Sequence, residues 1–376
     1  MNDTRKQTHS FIGILVCEKQ GQPPFGDQMF YRRLIRIGRE QGLQVFVFSP
    51  NGLHWEDETI DGYTYAPEHG GWKAGRFPLP AIVYDRSFFR NRHDYGRYRE
   101  CLIRLKERPD VRFLGYGLRG KLQVHRILQR DEALRSYLPA TRRLTGWASL
   151  TAALQRDGTL FLKPDAGSQG KGVLRLGAAA DGSYTAVGRS GRNEPFARTF
   201  ASEPLLRSWL EAFTAGRSYL VQPYLRLNTR SGEPFDIRCL VQKNRRGVWS
   251  VTGLAVRRGA SGNVTSNLHG GGVAMDLEPF LQNEFGEEKA RQIRSTLLNI
   301  ASRVPVILEQ HHGRLAELGI DLGIDASGHV WILEANSKPG RSAFARLSDP
   351  QVRLASIRNP IYYARYLLDT TRRVIS

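Results

Sequence analysis

Between Glu317 and Gly340 the chain reads ELGIDLGIDASGHVWILEANSKPG, and this stretch leaves the backbone little choice. Two apolar arms, Ile320–Ile324 and Val330–Glu334, flank Asp325-Ala326-Ser327-Gly328, which predicts a β-hairpin with its turn at those four residues. If the loop closes over Ser327-Gly328 alone, Asp321 falls directly opposite Glu334. Side chains alternate along a strand, so Asn336 shares the face of Glu334. A longer loop with a bulge would shift that pairing by one residue. Carboxylates opposed across a ladder repel one another unless a positive charge separates them. Two carboxylates and an amide oxygen, with few His or Cys nearby, suit Mg²⁺ shared with phosphate and water. The plain alternative is a solvated hairpin face on which acidic residues happen to meet.

The rest of the chain decides between these readings. With 376 residues it is long enough for two or three packed subdomains. No apolar run approaches the ~18 residues of a membrane span. The polar opening MNDTRKQTHS leads into FIGILVC, too short and too poorly flanked for a signal peptide, so a cytoplasmic protein is expected. Cys17, Cys101 and Cys239 are few, scattered and odd in number, which fits reduced thiols. A net charge of +19 favours anionic partners such as a nucleotide or an acidic substrate. Its Arg residues are spread along the chain without an RRM, zinc-finger or helix-turn-helix pattern, which argues against nucleic acid.

In chain order, the apolar run 11–17, a helix around 27–41 and the strand Val45–Phe48 open as a β-α-β unit of a small parallel sheet. Residues 51–80 read as strand and loop insertions, 81–85 as a strand, 95–107 as a helix and 111–114 as a short strand. Helices follow at Lys121–Leu128 and Ser149–Arg156. Thr159–Lys163 then forms a strand ending in a positive charge. Pro164-Asp-Ala-Gly-Ser-Gln-Gly-Lys-Gly172 connects it to another strand at 173–176, a glycine-rich flap whose N–H groups can approach phosphate. It lacks the Walker A order and is followed by a strand instead of a helix. An ordinary glycine-rich hairpin is the alternative, but Lys163 and Lys171 favour phosphate. Residues 177–200 read as exposed, 203–213 as a helix and 219–222 as a strand ending at Pro223. Phe235–Gln242 alternates, with Asp236 and Arg238 on one face and Ile237 and Cys239 on the other, and Trp249–Val256 is its partner. Leu277–His312 is helical with interruptions at Pro279 and Pro305, and the tail from Ser342 is partly helical.

LKPDAGSQGKGV (162–173), QPYL (222–225), DIR (236–238), SNLHGGG (266–272) and Asp321 followed by Glu334-Ala-Asn336 together resemble an ATP-grasp enzyme over roughly residues 115–345. Within that superfamily the chain looks most like the spore-coat-associated, YheC/YheD-type proteins. A second likeness is to ligases that add glutamate to ribosomal protein tails. The resemblance implies an α/β (α+β) ATP-grasp fold. It would comprise an N-terminal parallel-sheet domain (1–115), a small lobe (116–225), a large lobe carrying the metal site (226–345) and a helical tail (346–376), the two lobes clasping ATP.

The resemblance further implies that Lys121 and Lys163 contact ATP phosphates, with Ser168, Gln169, Gly170 and Gly172 covering them. Gln222, Pro223, Tyr224 and Leu225 would meet the adenine edge. Arg238 would clamp phosphate, Arg257 and Asn267 would lie near the acyl-phosphate and acceptor site, and Asp321, Glu334 and Asn336 would hold two Mg²⁺ ions, replaceable by Mn²⁺. His269 would either shape the acceptor pocket or be structural. The implied reaction is ATP-dependent carboxylate–amine ligation through an acyl phosphate, on a small-molecule or peptide carboxylate and an amine, with the positive charge pointing to acidic partners. A small-molecule kinase or a non-catalytic nucleotide-binding coat protein are the alternatives. One departure stands out. D-alanine–D-alanine ligases carry an Arg two residues before the first metal carboxylate, where this chain has Gly319. The resemblance therefore passes the oxyanion-stabilising role to Arg257 or Arg238 and speaks against D-alanine dipeptide synthesis. Substrates and oligomeric state stay open at this level.

Overall fold

The computed structural model describes residues 11–89, 92–167, 170–260 and 272–375. The polar opening at 1–10 and, among the residues singled out above, Ser168, Gln169, Asn267 and His269 lie outside them. Three sheets organise the described chain.

The first sheet holds β1 (Phe11–Leu15), β2 (Gln44–His54), β3 (Thr59–Ala66), β4 (Gly71–Pro78), β5 (Ile82–Asp85) and β6 (Arg112–Phe113), in the spatial order β4-β3-β2-β1-β5-β6. β1 runs parallel to both β2 and β5, and β5 parallel to β6, whereas β2, β3 and β4 form an antiparallel meander from the 51–80 insertion. β1 is apolar throughout because both its faces are covered. Ile12 and Ile14 pack under α1 (Gln28–Glu40), and Leu15 packs with Tyr98, Cys101 and Leu105 of α2 (Arg92–Glu107).

The second sheet is antiparallel throughout. It contains β7 (Arg142–Arg143), β8 (Thr159–Pro164), β9 (Leu174–Ala178), β10 (Tyr184–Arg189), β11 (Pro195–Phe200) and β12 (Tyr219–Pro223), ordered β11-β10-β9-β8-β12-β7. Residues 177–200, expected to be merely exposed, supply β10 and β11. Their polar, Gly-containing sequence hides strands that bury only Ala186, Gly188 and Phe200. α5 (Trp147–Asp157) and α6 (Glu203–Thr214) complete this unit. Before it come α3 (Lys121–Leu128) and α4 (Glu132–Arg135), which pack elsewhere.

The third sheet, ordered β15-β14-β13-β16-β17, holds β13 (Phe235–Lys243), β14 (Trp249–Arg258), β15 (Val273–Asp276), β16 (Glu317–Ile324) and β17 (Val330–Asn336). Ile237, Cys239, Leu318, Ile320 and Leu322 form one core with Ile293, Leu297, Ile300 and Val304 of the long helix below them. Val124, Ile127 and Leu128 of α3 and Leu134 of α4 join that core although they precede the second sheet in the chain. The helical stretch from 277 breaks at Gly286, not at its prolines, giving α7 (Leu277–Phe285) and α8 (Glu287–His312). Gly286 adopts φ 77°, which ends a helix cheaply only for glycine. Pro279 sits in the first turn of α7, where a missing N–H breaks no hydrogen bond, and Pro305 is carried inside α8. The tail forms α9 (Pro350–Ile375), whose Ile357, Ile361, Ala364, Leu367 and Leu368 pack with α1 on the first sheet. Among the described residues, no helix is long and apolar enough to cross a membrane.

Candidate active site

The β16–β17 hairpin sets Asp321 opposite Glu334, but by an indirect route. Its loop is wider than two residues: Asp325 N–H donates to the His329 carbonyl at 3.1 Å, and the Asp325 carboxylate accepts the Ser327 and His329 amides at 3.0 and 3.1 Å. Next to the turn the pairs are therefore Ile324–Val330, Gly323–Trp331 and Leu322–Ile332. An extra residue, Leu333, then bulges out, and the ladder resumes as Asp321–Glu334, Ile320–Ala335 and Gly319–Asn336. The bulge leaves the Leu333 carbonyl outside the ladder, where it accepts from Lys163 Nζ at 3.1 Å.

Alternation along β13 brings Asp236 and Arg238 to the same sheet face as Asp321. Their cross-strand partners are Arg257 and Asp321 respectively. Arg257 is buried and committed: its Nε and Nη2 donate to the two Asp236 oxygens at 2.6 and 2.7 Å, and Nη2 lies 3.1 Å from Asp321 Oδ2. Burial alone would lower its pKa, but the Asp236 and Asp321 charges outweigh that and raise it. Arg238 differs. Its Nη1 is 2.7 Å from Asp321 Oδ1, yet the two are out of line for a hydrogen bond, and both atoms are buried without a hydrogen-bond partner. Burial, with Arg257 adding repulsion, lowers the Arg238 pKa against the pull of Asp321. Burial would raise the Asp321 carboxyl, but Arg238 and Arg257 hold it below the ordinary range.

Gly319 has a spatial reason. A Cβ there would stand 2.6 Å from Arg238 Nη1 and 2.9 Å from Pro339 Cβ, so the Arg238 guanidinium lies across the glycine.

Facing this floor are two lysines. Lys121, at the start of α3, donates to Glu334 Oε1 at 2.9 Å and to the Gly167 carbonyl at 2.8 Å. Lys163, at the end of β8, is buried; desolvation, opposed by Glu334 and reinforced by Lys121, lowers its pKa to about 8. The first turn of α3 is capped from outside, the Leu122 N–H donating to Asp165 Oδ1 at 2.9 Å. Gly170 and Lys171 line the cleft, whereas Gly172 is turned away: it has φ 71°, its carbonyl accepts from Tyr219 Oη at 2.9 Å, and a Cβ would meet that oxygen at 3.0 Å. Gln222, Pro223, Tyr224 and Leu225 line the same cleft. Gln222 Nε2 donates to Thr141 Oγ1 at 2.6 Å, and the Tyr224 amide is committed to the Thr159 carbonyl.

The structure thus brings Lys121, Lys163, Gly170, the 222–225 segment, Arg238, Arg257, Asp321, Glu334 and Asn336 to the wall of one cleft of about 2040 Å³. Among the described residues no cluster of three or more His, Cys, Asp or Glu is assembled. The donor set is two carboxylates and one amide, and the buried Asp321 Oδ1 has no hydrogen-bond donor in line. Hard oxygens of this number fit a Mg²⁺ ion that takes its remaining ligands from phosphate and water. Asp236, Asp165 and the Leu333 carbonyl, which the sequence does not single out, also shape the site. Asp236 had a signal in its alternation with Arg238. Asp165 and Leu333 act through a cap and a bulge that no residue pattern announces.

Residues 110–367 match a family model described as YheC/D-like ATP-grasp. The chain is 28% identical over 340 residues to the endospore coat-associated protein YheC of Bacillus subtilis (strain 168), covering 90% of this chain and 91% of that one. It is 29% identical over 350 residues to YheD of the same organism, covering 92% and 75%. Among solved structures, the D-cycloserine synthetase DcsG aligns with a TM-score of 0.51 at 14% identity, covering 96% of this chain and 99% of that one. The fold is that of the ATP-grasp proteins.

Proposed function

The chain belongs to the YheC/D-like ATP-grasp family, and from that premise we propose that it is an ATP- and Mg²⁺-dependent carboxylate–amine ligase. The observation that carries this reading is the meeting of Arg238, Asp321, Glu334 and Asn336 on one sheet face beneath Lys121 and Lys163. In this reading the two lysines hold ATP phosphates, the glycine flap covers them, and residues 222–225 border the adenine between a small lobe and a large one. Asp321, Glu334 and Asn336 hold Mg²⁺, which neutralises and orients phosphate oxygens.

The substrate carboxylate attacks the γ-phosphorus, the bond to the bridging oxygen breaks and ADP leaves. The amine lone pair then attacks the acyl carbon, inorganic phosphate departs and the amine proton passes to solvent. Catalysis of such steps is mainly positioning and charge stabilisation. The two arginines divide the work. Arg238, with donor capacity unspent, touches the transferred group, and Arg257, held in place by Asp236, positions Asp321 by direct contact. Three free cysteines fit work in the reducing cytoplasm.

The test is ADP release on Mg-ATP across amino acids and peptides, with mass spectrometry of products. Asp321→Asn and Glu334→Gln should each lower ADP formation by about 10²-fold or more while circular dichroism is unchanged. Wild-type turnover in both variants would overturn the metal assignment, and a phosphorylated product with no amide would make the protein a kinase instead.

A further inference from the structure

We propose that the arm of the cleft beyond the nucleotide binds an acidic peptide, which supplies the carboxylate to be activated. The assignment rests on the ligase reading above and names its substrate class.

β1 and β5 are parallel neighbours, but the chain leaves β1 through α1 toward β2 and leaves β5 through α2 toward β6, on opposite faces of the sheet. Where connections diverge in this way, a crevice opens outside the carboxyl ends of the strands, and ligands bind there. Here that crevice is continuous with the cleft that holds Asp321 and Glu334.

Met29, Phe88, Phe89 and Tyr95 are exposed by 64, 51, 37 and 50%, and all four line this arm. Solvated apolar side chains gathered at one place mark a contact surface. Charge points the same way. Lys19, Arg33, Arg86 and Arg353 line the same arm, from four different segments. Arg86, 5% exposed, is held by Glu317 at 3.3 Å and by the Pro339 carbonyl at 3.1 Å, so the ligand-facing charge comes from Lys19, Arg33 and Arg353. Arg33 stands among cations: burial, then Arg353, Arg36 and Arg32, depress its pKa. Of the acids on this wall, Asp85 is taken by Lys338 at 2.7 Å, which leaves Asp27. Such a surface attracts carboxylates and repels an ammonium, so it suits the carboxylate partner and not the amine.

Size selects a peptide over a small acid. The whole cleft of about 2040 Å³ exceeds the roughly 300–1,000 Å³ of one small-molecule site and is shared with the nucleotide, and in the remaining arm the cations and aromatics are spread over several segments. A chain bearing several acidic groups and apolar side chains satisfies them together.

The experiment uses the full chain and fluorescein-labelled short peptides rich in Glu and Tyr, matched peptides with Gln for every Glu, a single-stranded oligonucleotide and free glutarate, read by anisotropy. The acidic peptide should bind at least about tenfold more tightly than its Gln counterpart. The double variant Arg33→Glu/Arg353→Glu should abolish that preference, and Phe88→Ala should weaken both peptides. Mg-ATP affinity, measured by calorimetry, should be unchanged in these variants. Equal affinity for the two peptides, or a preference that survives charge reversal, would overturn the proposal. So would tighter binding of the oligonucleotide, or glutarate binding as tightly as the acidic peptide. Failure of the wild-type chain to bind Mg-ATP would instead sink the ligase reading, and the peptide arms of the experiment read separately from it.

Discussion

Two arginines on neighbouring strands show how little a residue type says about its role. Both face Asp321, but Arg257 is bound bidentately to Asp236, and Arg238 keeps a buried Nη1 without a hydrogen-bond partner. Arg257→Leu should destabilise the fold by about 3–5 kcal/mol, because Asp236 and Asp321 would both lose the buried guanidinium between them. Arg238→Ala leaves Asp321 its contact with Arg257, so thermal melting should move little and ADP formation should collapse. Equal melting losses in the two variants would refute this division. His125 gives a second test at this scale. Its ring is buried beside a cavity of about 30 Å³, its Nε2 is unpartnered, and burial followed by Lys163 depresses its pKa from 6.5 to about 4. Between those values the unfolded chain binds a proton that the folded chain refuses. Stability from this group is therefore full above pH 6.5 and lost as pH falls toward 4. His125→Leu should make denaturation curves less pH-sensitive, gaining about 1 kcal/mol relative to wild type near about pH 5.5. Asp321, Glu334 and Lys163 were legible in sequence because motif and alternation place them. His125 was not, since its burial depends on elements far away in the chain.

Elements were legible where one local cause dominates. The helix Lys121–Leu128 was read with its observed ends, and β13 was read from its alternation. The break in 277–312 was misplaced because proline is a weaker stop than it looks in a first turn, and Gly286 a stronger one. The hairpin is the instructive case. A two-residue loop predicts Asp321 opposite Glu334, the actual loop shifts the register, and the Leu333 bulge restores it. Deleting Leu333 would join Ile332 to Glu334 in regular alternation, keeping Glu334 opposite Asp321 but removing the carbonyl that accepts from Lys163. If the bulge serves the site and not the sheet, the deletion should leave melting near wild type and weaken ATP binding by about tenfold. A deletion that unfolds the chain, or one that binds ATP normally, would show otherwise.

At the scale of the molecule, the three sheets are not equally joined. Among the described residues, the core of the second sheet draws only on 144–221. The first and third sheets share a buried polar seam: Glu317, 2% exposed, meets Arg86 at 3.3 Å, Arg341 at 2.5 Å and Gln242 at 2.9 Å, and Asp85 meets Lys338. α9, from the end of the chain, packs its apolar face onto the first sheet beside Ala316. None of these long-range partners is visible to local pattern, which is why the tail had no role in the sequence. The second sheet meets the third sheet, and the α3 helix packed on it, through polar struts, among them Lys163 to the Leu333 carbonyl and the Leu122 amide to Asp165. A unit with its own core and few struts should open locally at lower free energy than one sharing a buried seam. The second sheet is thus the part expected to move over a bound nucleotide. Hydrogen exchange should slow in β8, β9 and the flap between them on adding Mg-ATP, with the Glu317 seam unchanged. Glu317→Gln should do the opposite, lowering the melting temperature by leaving Arg86 and Arg341 undercompensated, a loss of about 3–5 kcal/mol, while exchange in β8 and β9 keeps its nucleotide response. Nucleotide-dependent protection concentrated at the seam, or spread evenly over all three sheets, would mean that the molecule closes as one body.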